Sequence, residues 1–175
     1  MASQAEPRMR VVHVVVMGVS GCGKSEVGAA LAGELGLPLV EGDAFHPEAN
    51  VRKMREGIAL QDTDRAGWLA LLGDELAAQR CGAVLTCSAL KRRYRDVLRA
   101  ACPGLAFLHL ALPLAEAQRR VAARAGHFYP PHLVASQFEA LEDPAGEDGV
   151  LQVDATQAVE AIVTAASGWL RSAMR

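Results

Sequence analysis

Val11-Val12-His13-Val14-Val15-Val16-Met17 runs straight into Gly18-Val19-Ser20-Gly21-Cys22-Gly23-Lys24-Ser25, and the reading of that junction decides the fold. The first seven residues are apolar at almost every position and rich in β-branched side chains, as suits a strand buried on both faces of a parallel sheet. The next eight fit G-x-x-x-x-G-K-[ST], a phosphate-binding loop that belongs between a strand and a helix. The helix follows: from Lys24 to Leu35, Val27, Ala30, Leu31 and Leu35 recur at helical spacing, and Gly36 with Pro38 ends the pattern. Average residue frequencies put a chance match at roughly one in a hundred or less for a chain of this length, before the flanking elements are demanded.

Outward from that corner the same rhythm repeats. Leu39-Val40, Ala83 to Cys87, Leu105 to Leu110 and Val150 to Val153 read as strands. Between and after them, Glu48 to Arg55, Arg65 to Gln79, Leu90 to Ala101, Leu114 to Ala125, Pro131 to Leu141 and Gln157 to Arg171 read as helices. Five short strands alternating with helices predict an α/β fold of three layers around a five-stranded parallel sheet. At 175 residues, 51% of them apolar, the chain suits a single domain spanning 1–175. The segment RAGHFYPP from Arg124 to Pro131 interrupts helical spacing with glycine, aromatics and proline, and is read as the root of a lid covering about 120–138.

Bulk properties exclude several classes. With 22% charged residues and a net charge of −2, the chain lacks the basic excess of a nucleic-acid binder. Cys22, Cys81, Cys87 and Cys102 show no metal-ligand or disulfide spacing, so reduced thiols in a cytoplasmic protein are expected. No apolar run reaches the roughly 18 residues a membrane span needs.

The loop residues imply their chemistry. Gly18, Gly21 and Gly23 let the backbone wrap an anion, while successive N–H groups, those of Ser20 and Cys22 among them, and the following helix N-terminus offer it positive potential. Lys24 is expected to bridge the β- and γ-phosphates of ATP, and the Ser25 hydroxyl to ligate Mg²⁺. Cys22 is either a passive small residue or a thiol open to alkylation. No hydrophobic strand ends in a solitary Asp of the usual Mg²⁺-holding kind, and no NKxD guanine reader is present, which favours a small kinase.

Acceptor groups should gather at the carboxyl ends of the other strands. Glu41-Gly42-Asp43-Ala44-Phe45-His46-Pro47 follows the second strand. Asp43 there is either the residue that orients and deprotonates the attacking hydroxyl or a cap for the next helix. His46 is either a polyol ligand or a local turn partner. Arg52, Lys53, Asp62, Asp64 and Arg65 form either an acceptor cluster or a solvated charged face. After the third strand, Ser88-Ala89-Leu90-Lys91-Arg92-Arg93-Tyr94-Arg95 offers cations to an anionic ligand, unless they are plain helix-surface charge.

Taken in order, GVSGCGKS (Gly18 to Ser25), EGDAFHPEANVRKMREG (Glu41 to Gly57), DTDRAGWL (Asp62 to Leu69), CSALKRRYRDVLR (Cys87 to Arg99), RAGHF (Arg124 to Phe128) and SQFEALE (Ser136 to Glu142) resemble the gluconate kinase family of P-loop sugar-acid kinases over almost the whole chain. The first block is generic, whereas EGDxFHP together with CSALKxxYRD is specific. The resemblance implies a nucleoside-monophosphate-kinase-like fold with a lid, a homodimer, and transfer of phosphate from ATP to D-gluconate, giving 6-phosphogluconate for carbohydrate-acid catabolism. It assigns Asp43 to the acceptor hydroxyl and His46, Lys53, Arg65, Ser88, Lys91, Arg95, His127 and Gln137 to the sugar acid. Arg120 and Arg124 resemble lid arginines that close over the phosphates, and Thr156 with Gln157 resembles the adenine-side loop. Glu26 departs from the family's usual Ser or Thr, and Ala59 and Asp143 stand where proline is common. A nucleotide-binding module without transfer activity is the alternative from another class; it would keep its function on Asp43→Asn.

Overall fold

The computed structural model describes residues 11–124 and 129–173. Five strands pair in parallel throughout, in the order β2-β3-β1-β4-β5. They are β1 (Val12–Met17), β2 (Leu39–Glu41), β3 (Gly82–Thr86), β4 (Ala106–Ala111) and β5 (Val150–Asp154). The helices are α1 (Lys24–Leu35), α2 (Glu48–Arg55), α3 (Asp62–Ala78), α4 (Arg92–Ala101), α5 (Leu114–Ala123), α6 (Pro131–Ala140) and α7 (Val159–Ala173).

Strand alternation divides the core into two halves. Val14 and Val16 of β1 point to one face and pack with Val27 and Leu31 of α1 and with Ile162, Ala166 and Leu170 of α7. Val15 and Met17 point to the other and meet Trp68, Leu69, Leu72 and Leu76 of α3 and Leu98 of α4. Those four β1 residues are fully buried, which is why the strand carries almost no polar side chain. Burying a valine of this kind contributes about 1.5–3 kcal/mol.

Several element starts differ from the sequence reading by one to three residues, and two of them have clear local reasons. α3 begins three residues before Arg65, because Gln61 and Asp64 form a reciprocal capping box and Asp62 and Asp64 place negative charge in the first turn. α4 begins at Arg92, because Ala89 takes a left-handed conformation with φ 45° and bends the chain after β3. A single 3-10 turn, Gly42–Phe45, follows β2 and carries Asp43. Part of the expected lid, including His127, falls on 125–128, outside the described residues.

Candidate active site

Gly18 shows why the loop after β1 is built of glycine. Its φ is +147°, and a Cβ there would lie 2.8 Å from Cys22 Sγ and 2.9 Å from the Leu110 carbonyl oxygen, so a side chain would both strain the backbone and collide. The loop wraps back on itself, and Lys24 Nζ donates to the carbonyls of Gly18 and Val19, each at 3.1 Å. The Ser25 hydroxyl, in the first turn of α1, donates to Glu41 Oε2 at 3.1 Å, and Thr86 Oγ1 donates to the same carboxylate oxygen. The loop, the end of β2 and the end of β3 thus meet at one acidic group.

The loop stands between two cavities. On one side Ser20 and Lys24 line a cavity of about 470 Å³, together with Asp43, His46, Asp62, Arg65, Ser88, Lys91, Tyr94 and Gln137. Met54, Ile58, Leu60 and Leu133 supply its apolar wall. On the other side Gly21, Cys22, Gly23 and Glu26 line a second cavity of about 450 Å³ with Arg119, Arg120, Arg124 and Gln157. A chain of phosphates held by the loop would therefore reach from the second cavity into the first.

Asp43 projects into the first cavity with its side chain 85% exposed, whereas the His46 side chain is 4% exposed and lies 3.9 Å from it. The turn carrying both is clamped: Trp68 Nε1 donates to the Gly42 carbonyl at 2.8 Å, and the Gly42 N–H donates to Thr86 Oγ1 at 3.3 Å. A Cβ on Gly42 would collide with the Thr86 carbonyl. The His46 ring stacks on Trp68, centroids 4.0 Å apart. Burial lowers the His46 pKa to about 4, against the opposing pull of Asp43 and with Arg65 adding to the fall.

Asp62 gathers donors from Lys91 Nζ at 3.0 Å, from Arg93 and from the Tyr94 hydroxyl. Arg65 lies over the Tyr94 ring, 5.7 Å from its centroid. In this cluster Lys91 and Arg93 share a carboxylate, while Arg65 lines the cavity, where a guanidinium can form a bidentate pair with a ligand carboxylate.

Three expected ligand residues sit elsewhere. Arg95 is fully buried and does not face the cavity. Its guanidinium donates to the carbonyls of Ala89 (2.8 Å), Leu90 (3.0 Å) and Glu142 (3.1 Å) and pairs with Glu147. Arg95 therefore holds the bend that presents Ser88 and Lys91 rather than a ligand, and Arg99 completes the pair on Glu147 at 2.7 Å. Hydrogen bonding by Arg95 first and Arg99 next holds the Glu147 carboxyl down at about 2. Lys53 is likewise absent from the cavity wall, its Nζ donating to Asp64 Oδ1 at 2.7 Å. Thr156 closes a turn, its N–H and hydroxyl both donating to Asp154 Oδ1 at 2.8 and 2.7 Å.

Other expectations acquire definite surroundings. Gln137 of α6 accepts from the Ser20 N–H at 2.6 Å and donates to the Tyr129 hydroxyl at 2.7 Å, so α6 touches the phosphate loop. Arg120 links Glu116 (2.8 Å), the Ala155 carbonyl (3.1 Å) and the Gly21 carbonyl (3.5 Å) beside the second cavity. Arg124, at the end of α5, is exposed on the same rim. Glu26 points into that cavity's edge from the first turn of α1. Sequence reading passed over Glu41, Asn50, Trp68 and Tyr94; of these, only Glu41 carried a signal, as the acid closing a strand.

A glycine-rich phosphate cradle between two cavities, one of which is lined by an exposed carboxylate and by a guanidinium that has no ion-pair partner among the described residues, defines a P-loop phosphotransferase for a small molecule. A family model described as "AAA domain" matches residues 14–144. The chain is 49% identical over 143 residues to a gluconokinase of Gluconobacter oxydans (strain 621H), covering 80% of each protein. It is 43% identical over 153 residues to the thermoresistant gluconokinase of Escherichia coli (strain K12), covering 85% of this chain and 87% of that one. The crystal structure of a gluconokinase from Sinorhizobium meliloti 1021 superposes with a TM-score of 0.87 at 48% identity, over 95% of both chains. The chain belongs to the gluconokinase family.

Proposed function

We propose that the protein transfers the γ-phosphoryl group of ATP to a hydroxyl of D-gluconate, giving 6-phosphogluconate and ADP. The observation that carries this reading is that Ser20 and Lys24 of the phosphate loop line the same cavity as Asp43 and Arg65. Donor phosphate and acceptor hydroxyl would then share one space.

In this mechanism the loop amides and Lys24 hold the phosphates, and Lys24 follows the charge that builds toward the leaving oxygen. Asp43 accepts a hydrogen bond from the attacking hydroxyl and takes its proton as the new P–O bond forms and the bond to the bridging oxygen of ADP breaks. Arg65 receives the carboxylate of the acid, Lys91 and Ser88 its hydroxyls, and Gln137 acts at the loop. Arg120 and Arg124 flank the nucleotide phosphates, and Gln157 lies on the base side.

The residues present suit Mg²⁺. Ser25 and Glu41 offer hard oxygen donors at the loop, and Mg²⁺ is ordinarily held by one or two protein oxygens with phosphate oxygens and water completing the shell. When bound it would neutralise charge across the β- and γ-phosphates. Four free cysteines suit a cytoplasmic protein, and no described helix is long and apolar enough to cross a membrane. A homodimer follows from the family resemblance and belongs to the same proposal.

The test is an ADP-release assay with Mg-ATP and D-gluconate, related aldonates and shikimate side by side. Gluconate-dependent release that outpaces shikimate is the expected result; no gluconate dependence across a wide concentration range would overturn the proposal.

A further inference from the structure

Asn50 is a buried polar residue on α2, 3% exposed, outside the cavity wall. Its side-chain Nδ2 lies 2.9 Å from the backbone carbonyl of Asp64 and 3.3 Å from His46 Nδ1. A carbonyl oxygen only accepts, so the atom facing Asp64 must be the amide nitrogen, which fixes the orientation of the Asn50 amide. That nitrogen carries two hydrogens, and the second is directed at His46. The imidazole nitrogen that receives it must be the unprotonated one.

From this chain of donors we infer that Asn50 is a positioning residue that locks His46 as the tautomer protonated on Nε2, so that the acceptor hydroxyl is received by one donor, His46, and one base, Asp43. The inference rests on the reading of Asp43 as the base of a sugar-acid kinase. His46 Nε2 and Asp43 Oδ1 are 3.9 Å apart, too far for a direct hydrogen bond, yet an oxygen about 2.8 Å from each fits between them. A hydroxyl satisfies both: its oxygen accepts from Nε2–H and its hydrogen goes to the carboxylate. The stack on Trp68 fixes the ring plane but not which edge faces α2; a donor hydrogen from Asn50 needs a ring nitrogen opposite it, so the same contact selects both the flip that turns Nδ1 to Asn50 and the tautomer that leaves Nδ1 unprotonated. The charged groups facing the ring are Asp43 from the 3-10 turn and Arg65 from α3, while α2 presents the uncharged Asn50. Burial keeps the ring neutral near pH 7, and a neutral ring locked in this way donates to the substrate and does not compete with Asp43 for its proton.

The tautomer is read directly by long-range ¹H–¹⁵N correlation on protein labelled with ¹⁵N-histidine, the His46 signals being those missing from His46→Gln. Wild type is expected to show the Nε2–H form from about pH 5 to pH 8, the range in which an ordinary histidine would titrate. In Asn50→Asp the carboxylate accepts instead of donating, so the proton should move to Nδ1 and the ring pKa should rise. Gluconate kcat/KM should then fall by about tenfold, the value of one lost hydrogen bond. The deficit should shrink at low pH, where the imidazolium again carries a proton on Nε2, and deepen as pH rises through the raised pKa. If Asn50→Asp does not fold, Asn50→Ala leaves Nδ1 without its donor and should show both tautomers in exchange. An Nδ1–H signal in wild type, or an Asn50 variant whose deficit is independent of pH and whose His46 signals are unchanged, overturns the inference. The spectra need no substrate: the expected tautomer without gluconate-dependent turnover would overturn the kinase reading instead.

Discussion

Ser25 and Glu41 meet across 3.1 Å, the hydroxyl in the first turn of α1 donating to the carboxylate that closes β2. The contact joins the end of the phosphate loop to the strand that leads into Asp43, so the group proposed to face the metal and the group proposed to face the acceptor hydroxyl are two residues apart on one short stretch of backbone.

Glu41→Gln should keep the fold and the hydrogen bond to Ser25 while removing the charge. The expected outcome is a Mg²⁺ requirement raised by about 10- to 100-fold, typical of residues that support a metal ligand. A magnesium titration of the initial rate checks it, with an unchanged requirement excluding Glu41 from the metal site.

Asp43→Asn should lower kcat by about 10²- to 10⁴-fold, the usual contribution of a positioned general base, with KM for gluconate little changed. Because the Asp43 side chain is 85% exposed, thermal stability should stay within about 0.5 kcal/mol of wild type. Steady-state kinetics beside a thermal melt separates the two effects.

Arg65→Ala should raise KM for gluconate by about 10- to 100-fold, since a hydrogen bond to a charged group contributes about 1.5–3 kcal/mol. Turnover of glucose, which lacks the carboxylate, should not worsen. The ratio of the two substrates before and after substitution is the readout, and an equal loss on both would assign the carboxylate to another cation.

Glu147→Gln should destabilise the protein by about 3–5 kcal/mol, the range for leaving a buried charge without its partner, because the Arg95 it faces is fully buried. Urea unfolding measures this directly. The bend at Ala89 should loosen with it, visible as faster amide exchange from Ala89 to Lys91.

Acid should lower the stability of the protein over two pH windows. His46 titrates at about 4 when folded against 6.5 for the free side chain, so the unfolded chain binds the proton more readily and stability declines as pH falls from about 6.5 to about 4. Glu147 titrates at about 2 when folded against 4.5, so its contribution, complete above 4.5, is lost as pH falls below that value. Unfolding free energy against pH should show both slopes, and His46→Gln should flatten the upper one alone.

Periodicity carried far in this chain. The limits of α1 and α2 coincide with the spacing of their residues, Lys24 to Leu35 and Glu48 to Arg55, because glycine and proline punctuate both. The start of α3 was hidden, since Asp62, Thr63 and Asp64 carry no apolar period and are helical through capping. Arg95 misled for a different reason. It stands in a run of basic residues whose members look alike in sequence, and what separates it from Lys91 is a carboxylate 52 positions away. The pairing of Asn50 with His46 was invisible too, because it depends on the Asp64 carbonyl arriving from another helix.

Gly42 narrows how this enzyme can be altered. With no room for even a methyl group against Thr86, and with both its backbone polar groups engaged, Gly42 resists substitution and fixes the turn that carries Asp43. Met54, Ile58 and Leu60, which line the same cavity, carry side chains that can be trimmed or enlarged, and a shift in substrate range, by drift or in the laboratory, has more room there than at Gly42.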